Sequence, residues 1–164
     1  MEPSCVLCDR KILAEHSVAA VMDRMAHIAC WLEWREPEGA RKRELVAVVD
    51  DDEPARYSNA RLLREAGFRT VEAGTGRRAL ELMEAMAPRL FLLDLRLPDL
   101  DGFEVCQRIK TRCPATRVVP LMDRGVTNDA RERAVQSGAD GVLVPPLDNE
   151  LIVRTVSRLL AKTA

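Results

Sequence analysis

Leu45-Val46-Ala47-Val48-Val49-Asp50-Asp51-Asp52-Glu53-Pro54 changes character in one step. Five apolar residues run without the polar alternation of a half-exposed strand, as a strand buried on both faces requires. Four acids follow at once. Then comes a proline, which suits a helix start because its missing amide is one that the first turn leaves unbonded anyway. A buried strand that ends in acids and turns directly into a helix reads as the first unit of a parallel α/β sheet.

Downstream the alternation repeats. Gly67 is placed to close the first helix, and Arg69–Ala73 reads as a second short strand. Thr75 can cap a helix whose Ala79, Leu80, Leu82, Met83 and Met86 share one face. Leu90–Leu93 reads as a third strand ending in Asp94, and Gly102–Thr111 as a third helix. Val118–Met122 reads as a fourth strand, weakened by Pro120, which removes a ladder donor. Thr127 caps the next helix and Gly138 ends it. Gly141–Val144 makes a fifth strand, and Leu151, Ile152, Val156, Leu159 and Leu160 stripe a last helix. Strands alternating with helices in this way predict a five-stranded, doubly wound parallel sheet over residues 45–164.

Outward in the other direction, residues 36–44 (Glu-Pro-Glu-Gly-Ala-Arg-Lys-Arg-Glu) lack apolar periodicity and read as a linker. Residues 1–35 form a second, smaller unit. The chain has 164 residues and a net charge of −1, with 7 Lys/Arg and 8 Asp/Glu before residue 45 and 18 of each after it. Neither part is a basic arm, which argues against nucleic acid as a partner. No apolar run is long enough to span a membrane and no apolar leader opens the chain, so a cytoplasmic location is expected.

In doubly wound sheets, ligands bind outside the carboxyl ends of the strands. The chain places Asp50 and Asp51 after the first strand and Asp94 at the end of the third. Three carboxylates in one crevice stay ionised only when a cation neutralises them. Hard oxygen donors in an open site suit Mg²⁺, and a carboxylate beside it can attack a phosphoryl group. Asp52 and Glu53, beside Pro54, read instead as helix-start residues.

Val48-Val49-Asp50-Asp51-Asp52-Glu53-Pro54, Leu92-Leu93-Asp94-Leu95-Arg96-Leu97-Pro98-Asp99-Leu100-Asp101-Gly102 and Ser137-Gly138-Ala139-Asp140-Gly141 resemble the receiver domains of two-component response regulators. The resemblance implies a flavodoxin-like fold and Asp94 as phosphoacceptor. It implies Mg²⁺ bound by Asp51, Asp94 and the carbonyl of Arg96, with Asp50 acting through water. A dehalogenase-type phosphatase would want an acid two residues after its nucleophile. Position 96 is Arg, which disfavours that enzyme, and partner binding rather than turnover is expected.

Three positions depart from the receiver pattern. Counting back from Gly138, Asp123 stands where receivers carry a Ser or Thr, and no Ser or Thr lies between Arg117 and Val126. Pro145 stands where they carry a Lys, and Val142 where they carry an aromatic switch residue. The hydroxyl and the ammonium are the groups that a phosphoryl recruits, each through a charge-assisted contact of about 1.5–3 kcal/mol. Without them the phosphate has little grip on the fold. The reading favoured by this pattern is a pseudo-receiver that docks signalling partners, such as a histidine kinase or another regulator, with impaired phospho-switching. The alternative is a phosphorylatable regulator that accepts phosphate from a histidine kinase on Asp94 with Mg²⁺.

Residues 1–35 are too few to bury a core of their own. They contain Cys5-Val6-Leu7-Cys8 and, after eighteen intervening residues, His27-Ile28-Ala29-Cys30. Three thiolates and an imidazole make a closed tetrahedral set characteristic of structural Zn²⁺. Ser17–Ala29 reads as a hairpin turning near Asp23-Arg24. The spacing is similar to half of a LIM domain, which implies a treble-clef zinc knuckle of α+β type. Trp31 and Trp34 offer it an apolar edge for protein contact. Cys106 and Cys113 read as packing residues of the third helix.

Overall fold

A computed structural model describes residues Cys5, Leu7, Cys8, Arg10, Val18–Val21, Arg24–His27, 44–122, 127–145 and 148–161. Strands β1 (Val18–Val21) and β2 (Arg24–His27) pair antiparallel, with Val21 opposite Arg24. This pairing is that of the expected hairpin. The linker, apart from Glu44, and both tryptophans lie outside the described residues.

The main body alternates as the apolar pattern predicts. Its elements are β3 (Leu45–Val49), α1 (Glu53–Glu65), β4 (Arg69–Ala73), α2 (Gly76–Met86), β5 (Leu90–Asp94), α3 (Gly102–Arg112), β6 (Arg117–Leu121), α4 (Asn128–Gln136) and α5 (Asn149–Ala161). The sheet is parallel in the order β4-β3-β5-β6. Alternate residues of each strand face opposite layers. Ala47, Val49, Val71, Phe91 and Leu93 pack with Leu82 and Met83 of α2 and Val105 and Ile109 of α3. Val46, Val48, Leu90 and Leu92 pack with Leu63 of α1 and Val156 and Leu159 of α5.

The expected helix punctuation is present. Asp52, Thr75 and Thr127 cap α1, α2 and α4 through their side-chain oxygens. Gly67 and Gly138 take positive φ values of 98° and 87°, just beyond the helices they close.

The fifth strand is a correction. Gly141–Val144 contributes a single bridge, Leu143 to Leu121, beside a four-stranded sheet. Pro120 supplies the reason. The amide of Arg117 points toward the β5 side, donating to the carbonyl of Arg89 just before that strand, so the amides of residues 118 and 122 point outward, as would one at position 120. Leu143 donates to the Pro120 carbonyl and accepts from the Met122 amide, each at 2.9 Å. The next rung needs an outward amide at position 120, and proline has none. The chain instead shifts: the Asp140 amide takes the Val118 carbonyl, and the Asp140 side chain takes the Val118 amide.

At the opposite margin, the amino-terminal segment lies on β4. The Glu72 amide donates to the Leu7 carbonyl at 2.8 Å. Cys5, Leu7 and Cys8 are buried in the α2–α3 layer. Arg10 reaches α1, pairing with Glu53 at 3.1 Å and lying over the Tyr57 ring at 4.7 Å.

Candidate functional site

Strand register builds the pocket. Val49 of β3 pairs with Leu93 of β5, so the residues that follow, Asp50 and Asp94, emerge side by side at the carboxyl edge. Asp51 joins them, and one oxygen from each of the three carboxylates falls within 4.8 Å of the others. Asp50 is buried, Asp94 half-buried and Asp51 exposed, so the cluster opens to solvent on one side.

Hydrogen bonds orient the acids. The Asp52 amide donates to Asp50 Oδ1 at 2.9 Å, and the Arg96 amide donates to Asp94 Oδ1 at 3.2 Å. Burial pushes the Asp50 carboxyl up to about 6; the Asp52 amide opposes that, and the charges of Asp94, Asp51 and Asp52 add to it. Burial also raises Asp94, with the Arg96 amide and guanidinium opposing and Asp51 adding to the rise. Carboxylates crowded in this way are a donor set that a cation would neutralise. The set fits a hard divalent ion, and with Mg²⁺ the open side would leave room for water and phosphate oxygens.

The loop beyond Asp94 is held from both ends. The Gly102 amide donates to the Leu95 carbonyl at 3.1 Å, and Arg96 bridges Asp101. A Cβ at Gly102 would lie 2.4 Å from the Leu95 Cα, so only glycine fits there. Asp99 spans from this loop to the start of α2.

The structure brings Asp50, Asp51 and Asp94 together and sets the Arg96 amide on Asp94. Asp52 and Glu53 serve the start of α1, also as expected. Pro145 and Val142 are described, two residues beyond and one before the bridging Leu143. Asp123 lies outside the described residues. Among those residues Lys110 is the one lysine, and it sits at the far end of the sheet on Asp140 at 2.9 Å. Of the four cysteine–histidine positions, Cys5 and Cys8 are buried, His27 ends β2, and Cys30 lies outside the described residues.

Sequence reading missed two residues at the rear of the pocket, Arg56 and Glu72. Arg56 lies on the core-facing stripe of α1 with Ala60 and Leu63. An arginine at the first position of an i, i+4, i+7 apolar stripe is the signal that could have found it. Glu72 alternates inward on β4 and carries no comparable mark.

A doubly wound parallel sheet with three acids at its carboxyl edge defines the CheY-like class of α/β proteins. A family model described as the response regulator receiver domain matches residues 46–157, and the chain belongs to that family. It is similar to the transcriptional regulatory protein ZraR of Klebsiella oxytoca, at 36% identity over 118 residues, covering 72% of this chain and 26% of ZraR. It is similar also to the transcriptional regulatory protein AfsQ1 of Streptomyces coelicolor, at 31% identity over 117 residues, covering 70% of this chain and 50% of AfsQ1. Among solved structures, the BeF3-activated receiver domain of DrrB, a Thermotoga maritima OmpR/PhoB homologue, superposes with a TM-score of 0.67 at 28% identity, covering 73% of this chain and 98% of that one. The chain thus spans half or less of the length of these two curated relatives. Both are named as transcriptional regulators, so the charge balance alone does not decide against nucleic acid. No helix among the described residues is long and apolar enough to cross a membrane.

Proposed function

We propose that the chain is a phosphoacceptor receiver, taking a phosphoryl group on Asp94 from a histidine kinase with Mg²⁺ bound at Asp51 and Asp94. The observation that carries this is the convergence of Asp50, Asp51 and Asp94 at one strand edge. In the transfer, an Asp94 oxygen bonds to phosphorus as the bond to the donor's nitrogen or oxygen breaks, leaving an acyl phosphate. When bound, Mg²⁺ supplies charge neutralisation for the phosphoryl oxygens. The Arg96 amide orients the acceptor carboxylate, and Asp50 completes the acidic wall. That DrrB is described in its BeF3-activated form supports the reading. Incubating the full chain with Mg²⁺ and acetyl phosphate and weighing it intact tests the proposal. A gain of one phosphoryl mass, absent in Asp94→Asn, is expected; no gain in the parent chain refutes it.

A second reading concerns what the phosphoryl group then does. Pro145 follows the single bridge at Leu143 and offers no donor, and Lys110 is committed to Asp140. The phosphorylated chain then changes shape little and signals by docking. Amide spectra that differ only around residues 94–102 after phosphorylation support this; shifts extending through β6 and α4 refute it.

We propose further that Cys5, Cys8, His27 and Cys30 hold one structural Zn²⁺. The turn closed by the Cys5 amide on the Arg10 carbonyl at 2.9 Å, with both cysteines buried, supports it. Metal analysis of the purified chain should find one zinc, lost in Cys8→Ser.

A further inference from the structure

Arg56 stands one turn into α1 and is 5% exposed. Its charge is taken out of water, which is costly unless partners answer it. Two do, in different directions. Nη1 donates to the backbone carbonyl of Asp50 at 2.7 Å. Nε faces Oε2 of Glu72 at 3.7 Å, and neither of these two atoms makes a hydrogen bond. Glu72 is 1% exposed, and its Oε1 accepts from Arg64 Nη1 at 3.3 Å.

The Asp50 carbonyl belongs to the peptide that joins Asp50 to Asp51. A donor fixed on that oxygen sets the plane of the peptide linking two of the three acids of the pocket. The Asp50 side chain is fixed separately, by the Asp52 amide. The guanidinium bonds the peptide oxygen rather than a carboxylate, so its action is on geometry. The strand that carries Glu72 is itself held at that residue, whose amide donates to the Leu7 carbonyl.

We propose that Arg56 is a positioning residue for the phosphoacceptor site: it fixes the Asp50–Asp51 peptide so that both acids face Asp94, and Glu72 holds the guanidinium in the orientation this needs. The inference rests on reading the pocket as a Mg²⁺ and phosphoacceptor site.

The test compares Arg56→Met, Arg56→Lys and Glu72→Gln in the full chain by two readouts. One is hydrogen exchange at the Asp52 amide in metal-free protein; the other is Mg²⁺ affinity by calorimetry. Arg56→Met should speed the exchange and weaken Mg²⁺ binding about tenfold, the size expected for one lost hydrogen bond to a charged donor. Arg56→Lys should restore part of both, and Glu72→Gln should move both the same way by less. Exchange and affinity that stay at parent values in Arg56→Met, with only Tm lowered, overturn the proposal. If Arg56→Met does not fold, Glu72→Gln decides: faster Asp52 exchange supports the assignment and unchanged exchange overturns it. A parent chain that takes up no Mg²⁺ removes the reading of the pocket, while the exchange measurement still decides the role of Arg56.

Discussion

The carboxylate of Asp99 accepts a hydrogen bond from the backbone amide of Gly76 at 2.8 Å, tying the loop beyond the acceptor strand to the start of α2. It also takes the Arg77 amide at 2.9 Å, while the Thr75 hydroxyl takes that of Arg78 at 3.1 Å. Three successive amides at the helix start are thus answered by two side chains, the adjacent Thr75 and the distant Asp99. Asp99→Ala should cost about 1–2 kcal/mol, as the loss of a helix cap does, measured by urea unfolding. It should also speed exchange at Gly76 and Arg77 without touching Arg78.

The pocket gives the metal-free protein a distinct acid limb. Asp50 is raised from 3.8 to about 6, so between those values the folded state holds a proton that the unfolded state has released. Stability therefore falls as pH rises through that window, by linkage. Metal-free protein should melt higher near pH 4.5 than near pH 7 as far as this group is concerned, and Asp50→Asn should remove that part of the slope. Mg²⁺ should reverse the trend, since it binds the ionised carboxylates, and its affinity should fall as pH drops below about 6.

Gly102 tolerates no side chain. Its missing Cβ would fall 2.4 Å from the Leu95 Cα and 2.8 Å from the Leu95 carbonyl oxygen, both backbone atoms. Gly102→Ala should cost about 1–3 kcal/mol, as overpacking does, and should slow phosphorylation because Leu95 adjoins Asp94. Equal phosphorylation rates for variant and parent would show that the loop yields without moving the acceptor.

Asp140 behaves oppositely to Asp50. Its carboxylate is part-buried, yet the Val118 amide, Lys110 and Arg117 outweigh the burial and hold it below the usual carboxylate range. The stability it contributes is present above the unfolded value of 3.8 and lost as pH falls through the lower folded value. Asp140→Ala leaves Arg117 and the Val118 amide without this carboxylate, while Lys110 keeps the Pro114 and Thr116 carbonyls, and should cost about 1–3 kcal/mol, read from chemical unfolding at pH 7.

Much of this was legible from local pattern. The apolar run at 45–49, the caps at Thr75 and Thr127 and the closing glycines fix element type within a few residues, and the structure agrees with them. The acids of the pocket were legible because strand ends converge in any parallel sheet of this order. The rest depended on distance. Asp99 meets an amide twenty-three positions earlier, and no spacing in the sequence announces it. Arg56 and Glu72 belong to different elements, and their burial follows only from the packing of α1 on β4. Pro120 was visible, but its effect on the fifth strand required knowing toward which side its absent amide points.

The bond between the Leu7 carbonyl and the Glu72 amide has a consequence for solubility. An outermost strand offers donors to any extended chain that drifts past, which is how ordered proteins begin to stack into fibres. Here that donor is already occupied by the protein's own leading segment. A perturbation that pulls this segment away would first expose a template for self-association, and light scattering would register it before any signalling defect.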